Sequence, residues 1–503
     1  MLLIHPPMAK ACEPPAGIAK LAGVLREHGR HCTLLDANLE GQLYLLDRDY
    51  SGKDTFSKRA LRNKSANIKG LQSLELYKNP ARYLKAANEL NRLLEIPGKP
   101  DIHLSLANYQ DKKLSPLRSS DLVQSAAHPE ANIFYDYFSS RLDKLLTENN
   151  PRMVGFSINY LSQALTSFAM IGHLKERYPQ LPIVVGGGLV TSWLSNQAWK
   201  NPFNGLVDHL IAGPGEIPLL KLLECEPEHI STTPDYSPLP LADYLAPGLI
   251  LPFAASSGCY WRKCSFCPEK AECNSYQVQA PLDVLDSIKQ LKKATTPSLL
   301  HFLDNAISPA LLQALVDNPP GLNWYSFARV GPELADQDFC HALRRSGCVM
   351  LKLGLESGDQ GVLDALQKGI DLDMVSKVLT NLKNAGIATY VYLLFGTPPE
   401  ARAEARRTMD FTVEHSPAIT FLNLAIFNMP LNSPDAEGLA LSDFYQGDLS
   451  LYTDFAHPKK WGRKEVRHFL DREFKRHPAI AEIIRRDPPF FTSNHAPFFS
   501  HNQ

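Results

Sequence analysis

Long apolar runs are missing from this chain: no stretch approaches the roughly 18 consecutive apolar residues that a membrane-spanning helix requires. No spanning segment is therefore expected. Excess charge is missing too, since 52 Lys and Arg stand against 53 Asp and Glu. That balance argues against nucleic acid or an anionic membrane surface as a partner. The opening stretch, MLLIHPPMAK, has no cationic segment leading into an apolar core, and Pro6 and Pro7 interrupt it. It does not read as a signal peptide, and a cytoplasmic location is expected. Cysteine is scarce, at nine residues in 503. In a reducing compartment such thiols do not make a disulfide framework, so a tight cluster among them points to metal binding or chemistry.

What is present is the composition of a globular protein, 44% hydrophobic and 21% charged, in a chain long enough for two or three domains. The first 36 residues read as strand, loop, helix and strand: LLI, then PPAGIAKLAGVLREHG with apolar Ile18, Leu21, Ala22 and Leu25 on one face, then CTLLD. Gly29 is placed to end the helix. The rhythm returns in RMVGFSI, LTSFAMIGHLKERY and PIVVGGG, which predicts an α/β domain with a parallel, doubly wound sheet over 1–235. A polar, helical insertion over about 46–150 interrupts it. Its basic run, SKRALRNKSANIKG, reads first as a solvated helix face and second as a contact to an anionic substrate.

A proline-rich linker over 236–248 leads to a second series of six strands alternating with helices, over 249–427. The strands are read in LILPFAASS, LLHFLD, WYSFARV, VMLKLGL, TYVYLLFG and ITFLNL. Such a series suggests an open, partial barrel of the (β/α)6 kind, with its active site at the C-terminal strand ends. The last region, 428–503, is rich in aromatics, prolines and histidines and is expected to cap the barrel mouth.

Three of the nine cysteines, Cys259, Cys264 and Cys267, fall in SSGCYWRKCSFCPEK, just after the first strand of this series. Structural zinc takes four protein ligands, and Cys273 is an available fourth. The other reading is a four-iron cluster with three thiolate ligands and one iron left open.

With these residues the sequence resembles radical S-adenosylmethionine (SAM) enzymes. Their usual motif is CxxxCxxC, and this chain has one residue more, CxxxxCxxC. The resemblance implies that Cys259, Cys264 and Cys267 hold a [4Fe-4S] cluster whose open iron binds SAM. Phe266 matches the aromatic residue before the last cysteine, which packs near the adenine. Further matches lie at successive strand ends: Asp304 and Asn305 in FLDNAIS, Arg329 in SFARV, Glu356 and Ser357 in LGLESG, then QKGI, and Gly396 with Glu400 in FGTPPE. The resemblance implies that Asp304, Asn305, Arg329, Glu356, Ser357 and Gly396 contact SAM, and it covers about 249–424.

The first domain resembles cobalamin-binding domains, whose signature is DxHxxG, SxL and a later GG. Here Ser157, Ile158 and Asn159 stand for SxL, and 26 residues separate them from Gly186, Gly187 and Gly188. Glycines let a nucleotide tail approach the backbone, and a serine hydroxyl can hold a buried base. IAGPGE supplies Gly213, Gly215 and Glu216, which resemble a GEGE element. DxHxxG is absent and His5 reads as an ordinary loop residue, so no lower histidine ligand to cobalt is expected.

The whole therefore resembles a cobalamin-dependent radical SAM enzyme: a Rossmann-like domain, a TIM-like partial barrel and a cap. The resemblance implies reductive cleavage of SAM to a 5'-deoxyadenosyl radical and methyl transfer to an unactivated carbon. The substrate is expected to be a small molecule or peptide, and the electron donor a reductant such as flavodoxin or ferredoxin. The same radical could instead drive rearrangement, cyclisation or oxidation. From another class, a zinc- or cluster-binding regulatory protein would cleave no SAM.

Overall fold

The computed structural model describes residues 1–52, 54–98, 100–196, 199–225, 233–488 and 495–499. Five short strands make the first sheet: β1 (Leu2–His5), β2 (Thr33–Asp36), β3 (Val154–Ser157), β4 (Ile183–Gly186) and β5 (His209–Leu210). All run parallel, in the order β2-β1-β3-β4-β5. Every residue of β1 is buried because parallel strands are covered on both faces, which is why LLIH shows no polar alternation. The order reverses between β1 and β3, and the crevice beyond the strand ends at such a reversal is where open α/β sheets bind ligands. Between β1 and β2, helix Ala16–Glu27 ends at His28, after which Gly29 takes the left-handed conformation at φ 65°.

The insertion is mainly helical and is packed into the body of the molecule. Helices Thr55–Leu71 and Pro80–Gly98 lie together around Glu89, which is fully buried. The basic run spends part of its polarity there: Arg59, Asn63 and Asn67 donate to the Glu89 carboxylate at 2.8, 3.0 and 2.7 Å. Farther on, helix Ser119–Ala127 crosses helix Leu161–Arg177 so closely that a Cβ on Gly172 would stand 1.8 Å from the Ala126 carbonyl oxygen.

The second sheet contains β6 (Ile250–Phe253), β7 (Leu299–Phe302), β8 (Asn323–Ala328), β9 (Cys348–Glu356), β10 (Ala388–Phe395) and β11 (Phe421–Ile426). These six are parallel and adjacent in chain order. Leu251, Phe253, Leu300, Phe302, Trp324, Leu351, Leu353, Val391 and Leu393 share a core with the crossover helices. The alternate positions, among them Tyr325, Met350, Tyr390 and Phe421, join the core built mainly by the first sheet and the insertion. The strand expected through LILPFAASS is shorter than that reading. It stops at Phe253, because Asp304 takes the Ala255 N–H and the Ser256 hydroxyl, after which Ser256–Ser257 pairs antiparallel with Gln277–Val278.

The segment expected as a linker is folded against both sheets. Tyr236 donates to the Pro252 carbonyl, Tyr244 to Asp36 Oδ2 at 2.7 Å, and the Leu245 N–H to the Ala11 carbonyl at 2.8 Å. After β11 the chain forms a small antiparallel sheet of Met429–Pro430, Leu441–Asp443 and Tyr452–Phe455, then helices Arg463–Arg472 and Pro478–Arg486. Residues 489–494 and 500–503 of the expected cap lie outside the described residues. Among the described residues no helix is long and apolar enough to cross a membrane.

The Gly172 crossing should be intolerant of even one methyl group. Gly172→Ala should lower the thermal unfolding midpoint, with about 1–3 kcal/mol lost to overpacking. Thermal unfolding followed by circular dichroism checks this.

Candidate functional site

The cysteine loop is clasped at its base by the pairing of Ser256–Ser257 with Gln277–Val278. Gly258 opens it at φ 72°, where a Cβ would stand 2.6 Å from the Ser275 carbonyl oxygen. The four residues between Cys259 and Cys264 fit because Arg262 turns left-handed at φ 51°. Cys267 then caps the short helix Pro268–Ala271. All three thiols are free and partly buried. Burial pushes the Cys264 thiol up while Lys368 and Arg329 pull it down; burial pushes Cys267 up to about 11. Cys273 is exposed.

A cationic and aromatic shelf supports the loop. The Ser265 N–H donates to the Leu366 carbonyl at 3.0 Å, and Trp261 Nε1 donates to the Gln367 carbonyl at 3.3 Å. Arg329 lies with its guanidinium carbon 3.8 Å from the Trp261 ring centroid and donates to the Lys368 and Gly369 carbonyls, the latter at 2.8 Å. Lys368 pairs with Glu356 at 2.8 Å and lies 5.7 Å from the Phe266 ring centroid. Gly354 makes that pair possible, since a Cβ there would stand 2.6 Å from Glu356 Oε1 and 2.8 Å from Lys368 Nζ.

The other residues expected at SAM are placed differently. Asp304, pushed up by burial, is occupied with Ala255 and Ser256. Asn305 donates to the Gly258 carbonyl at 3.2 Å and to Glu269 at 2.8 Å, bracing the loop from below. Ser357 is fully buried, with its hydroxyl 3.1 Å from Thr408 Oγ1 and accepting the Asp359 N–H. Gly396, at φ 80°, lies beneath Val466 and Trp461. Its N–H donates to Glu400 Oε2 at 2.5 Å, and Trp461 Nε1 donates to the same oxygen at 3.0 Å.

The glycine motifs of the first sheet come together. Ser157, Asn159, Gly186, Gly187, Gly188, Gly213, Gly215 and Glu216 all line one cavity of about 850 Å³ at the β1/β3 switch point. That is in the upper part of the roughly 300–1,000 Å³ range of small-molecule and cofactor sites. Gly187, at φ 106°, leaves no room for a side chain, with a Cβ 2.5 Å from the Ile158 carbonyl oxygen. At Gly213 a Cβ would meet nothing within 4 Å. Asn159 accepts the Gly188 N–H at 3.0 Å and donates to Ser157 Oγ at 3.2 Å, which leaves the serine hydroxyl proton to point elsewhere. The facing wall comes from the cysteine loop: Ser257, Gly258, Glu269, Glu272, Cys273 and Ser275. A hydrogen bond of 2.6 Å from Ser192 to Glu272 joins the two walls. Among the described residues no histidine lines the cavity. His5 is buried beside Gln163 and lies outside it.

Two groups escaped the sequence reading. Trp261 gave no signal beyond its place in the lengthened spacing. The second group is a buried chain on the inner face of the second sheet: Lys352 Nζ donates to His301 Nε2 at 3.0 Å, and His301 Nδ1 donates to Glu13 Oε2 at 3.0 Å. Burial holds Lys352 down to about 7 and His301 down to about 4. A lysine inside VMLKLGL was the available signal.

Among the described residues no three His, Cys, Asp or Glu side chains converge as ligands of a single metal ion. One zinc would draw its sulfurs to about 2.3 Å, whereas in a cluster each thiolate takes its own iron. Three thiols on one loop with two cations behind them fit the cluster. The glycine wall fits a bulky cofactor that approaches the backbone closely.

The fold is that of known two-part α/β enzymes with parallel sheets. The chain aligns over 97% of its length, and 89% of the other, with the radical SAM methyltransferase TsrM from Kitasatospora setae, solved with tryptophan substrate and a SAM analogue, at TM-score 0.53 and 14% identity. TsrM has also been solved with cobalamin and a [4Fe-4S] cluster bound. The cobalamin-dependent radical SAM enzyme OxsB, solved with aqua-cobalamin and SAM, aligns over 63% of this chain and 57% of its own at TM-score 0.51 and 14% identity. In sequence, the chain is 26% identical over 256 residues to bacteriochlorophyllide d C-12(1)-methyltransferase of Chlorobaculum tepidum, covering 48% of this chain. It is 24% identical over 162 residues to the anaerobic magnesium-protoporphyrin IX monomethyl ester cyclase of Rubrivivax gelatinosus, covering 31% of this chain. These matches span 54% and 29% of the two relatives' lengths. No family model matches.

Glu400 carries a testable consequence. Burial pushes its carboxyl up to about 8, from an ordinary value of 4.5. Between those two pH values the folded protein holds a proton that the unfolded chain releases, so stability falls as pH rises across the window. The slope is up to about 1.4 kcal/mol per pH unit. Glu400→Gln keeps an acceptor for Gly396 and Trp461 and should flatten this dependence. Denaturant midpoints of both proteins at pH 5 and pH 8 give the comparison, with the larger gain for the variant at pH 8.

Proposed function

We propose that the protein is a cobalamin-dependent radical SAM methyltransferase acting on a small molecule or peptide. The observation that carries this reading is the shared cavity: the glycine motifs of the first sheet form one wall, and the residues that flank the cysteine motif, Ser257 and Gly258 before it and Pro268 to Ser275 after it, contribute to the other, with Cys259, Cys264 and Cys267 themselves outside the lining. Methyl transfer that uses two cofactors requires both to face one substrate, and a cavity with walls from both sheets supports that reading. We read 1–235, 249–427 and 428–503 as the cofactor domain, the partial barrel and its cap.

When bound, the cluster supplies an electron that cleaves SAM, and cobalamin supplies the methyl carrier. The chain's own residues hold and orient. Cys259, Cys264 and Cys267 hold the cluster; Phe266, Arg329, Glu356 and Lys368 shape the ground beside it for SAM. Ser157 and the glycines at 186–188 and 213–215 admit the cobalamin. Phe327, near the end of β8, and Tyr392, within β10, both partly exposed with ring centroids 5.1 Å apart, offer an aromatic surface that suits a substrate with an apolar face. A flavodoxin- or ferredoxin-type protein is the proposed electron source.

The test is anaerobic reconstitution followed by analysis of iron, sulfide and cobalamin, with dithionite and methyl-labelled SAM supplied. Four irons, 5'-deoxyadenosine and labelled product support the proposal. Deoxyadenosine without methylated product favours rearrangement, cyclisation or oxidation, and zinc without cleavage favours a regulatory protein. Cys264→Ala should lose the cluster and reduce deoxyadenosine to background. Gly188→Leu, at a position where a Cβ meets nothing closer than 3.8 Å, should project into the cavity and lower cobalamin retention at least about tenfold while the iron content stays unchanged.

A further inference from the structure

The lengthened cysteine spacing has a structural product. Tyr260, Trp261, Arg262 and Lys263 lie between Cys259 and Cys264, and the left-handed turn at Arg262 accompanies an indole whose ring centroid lies 3.8 Å from the Arg329 guanidinium carbon, which sits over the ring. The seat for that ring is made to measure. Trp261 Nε1 donates to the Gln367 carbonyl, and Gly369, at φ 64°, would carry a Cβ 2.2 Å from Trp261 Cζ2, so no side chain fits there. On its other contacts Arg329 donates to the Lys368 and Gly369 carbonyls and reaches the Cys264 thiol.

The two cations near Cys264 are not equivalent. Lys368 acts on the sulfur while paired with the Glu356 carboxylate at 2.8 Å, which offsets part of its field. Arg329 is held by two neutral carbonyls and an aromatic face, which orient its charge without neutralising it. A planar fork stacked on a ring keeps one direction, as a lysine would not.

We propose that Trp261 and Arg329 form a stacked pair that sets the reduction potential of the cluster held by Cys259, Cys264 and Cys267, with Arg329 as the tuning cation and Trp261 as its positioning residue. This rests on the radical SAM reading above. Reduction adds one electron from an external reductant to the cluster and moves no proton and no bond, so its product carries one more negative charge beside the guanidinium. Hydrogen bonds and positive charge at a ligating sulfur stabilise that product and raise the potential. A cluster beside this pair is thus easier to reduce.

The experiment is an anaerobic redox titration of the reconstituted full-length protein, monitored by electron paramagnetic resonance, with iron and sulfide counted for each variant. Trp261→Ala and Arg329→Gln should load a full cluster yet show at least a tenfold lower reduced-to-oxidised ratio at fixed potential, about 59 mV for one electron. Trp261→Phe keeps a ring over the guanidinium and should stay near the wild type. Trp261→Ala leaves all cysteines and Arg329 in place, so it decides the question even where Arg329→Gln fails to load iron. Full loading with an unchanged midpoint in Trp261→Ala would overturn the proposal. A wild-type protein that takes up no four-iron cluster would overturn the radical SAM reading itself, and this inference with it.

Discussion

A lysine sealed inside an apolar sheet must find a partner, and the way Lys352 finds one holds the two sheets in their relation. Its amine meets His301 of β7, two strands away across β8, and His301 meets Glu13, which belongs to the loop after β1 in the other sheet. Burial disfavours the charged forms of both Lys352 and His301, so hydrogen bonds carry the contact. The chain of bonds spans both halves of the molecule. Tyr244 on Asp36 and Leu245 on Ala11 tighten the same joint from the segment between the sheets. Without this docking the glycine turns and the cysteine loop would be two separate surfaces.

The cysteine loop shows how buried polar groups are divided between structure and chemistry. Asp304 and Asn305 sit where a reading by resemblance places SAM contacts, yet Asp304 is occupied with the strand end and Asn305 with the loop it supports. Glu356 and Lys368 pair with one another beside Cys264, and Arg329 is held by the Lys368 and Gly369 carbonyls. Glu272 ties the loop to Ser192 and so to the helix that follows the glycine-rich turn. Position in a motif and role in a site are separate properties, because the same carboxylate can accept from backbone or from ligand.

Much of this was legible from residue order. Parallel strands buried on both faces appear as apolar runs, so LLI, VMLKLGL and TYVYLLFG could be placed, and the alternation with amphipathic helices gave their direction, although His5, read as a loop residue, is the last residue of β1. The glycines at 186–188 and at 213 and 215 could be singled out because close backbone approach excludes side chains. The end of β6 was misjudged, since a buried carboxylate 49 residues away ends that strand. Lys352, His301 and Glu13 were not grouped, because their meeting depends on two crossovers and on the docking of separate sheets.

By itself the sequence determined the class of fold, the three thiols of one loop and the glycine turns of the other half, since all of these are local: periodicity, spacing and the absence of Cβ act between near neighbours. The tertiary structure alone decided that those two halves wall a single cavity, that Glu13 reaches His301, and that Trp261 lies on Arg329. Each of these is a contact between segments far apart in the chain, and its geometry follows from packing that no local pattern encodes.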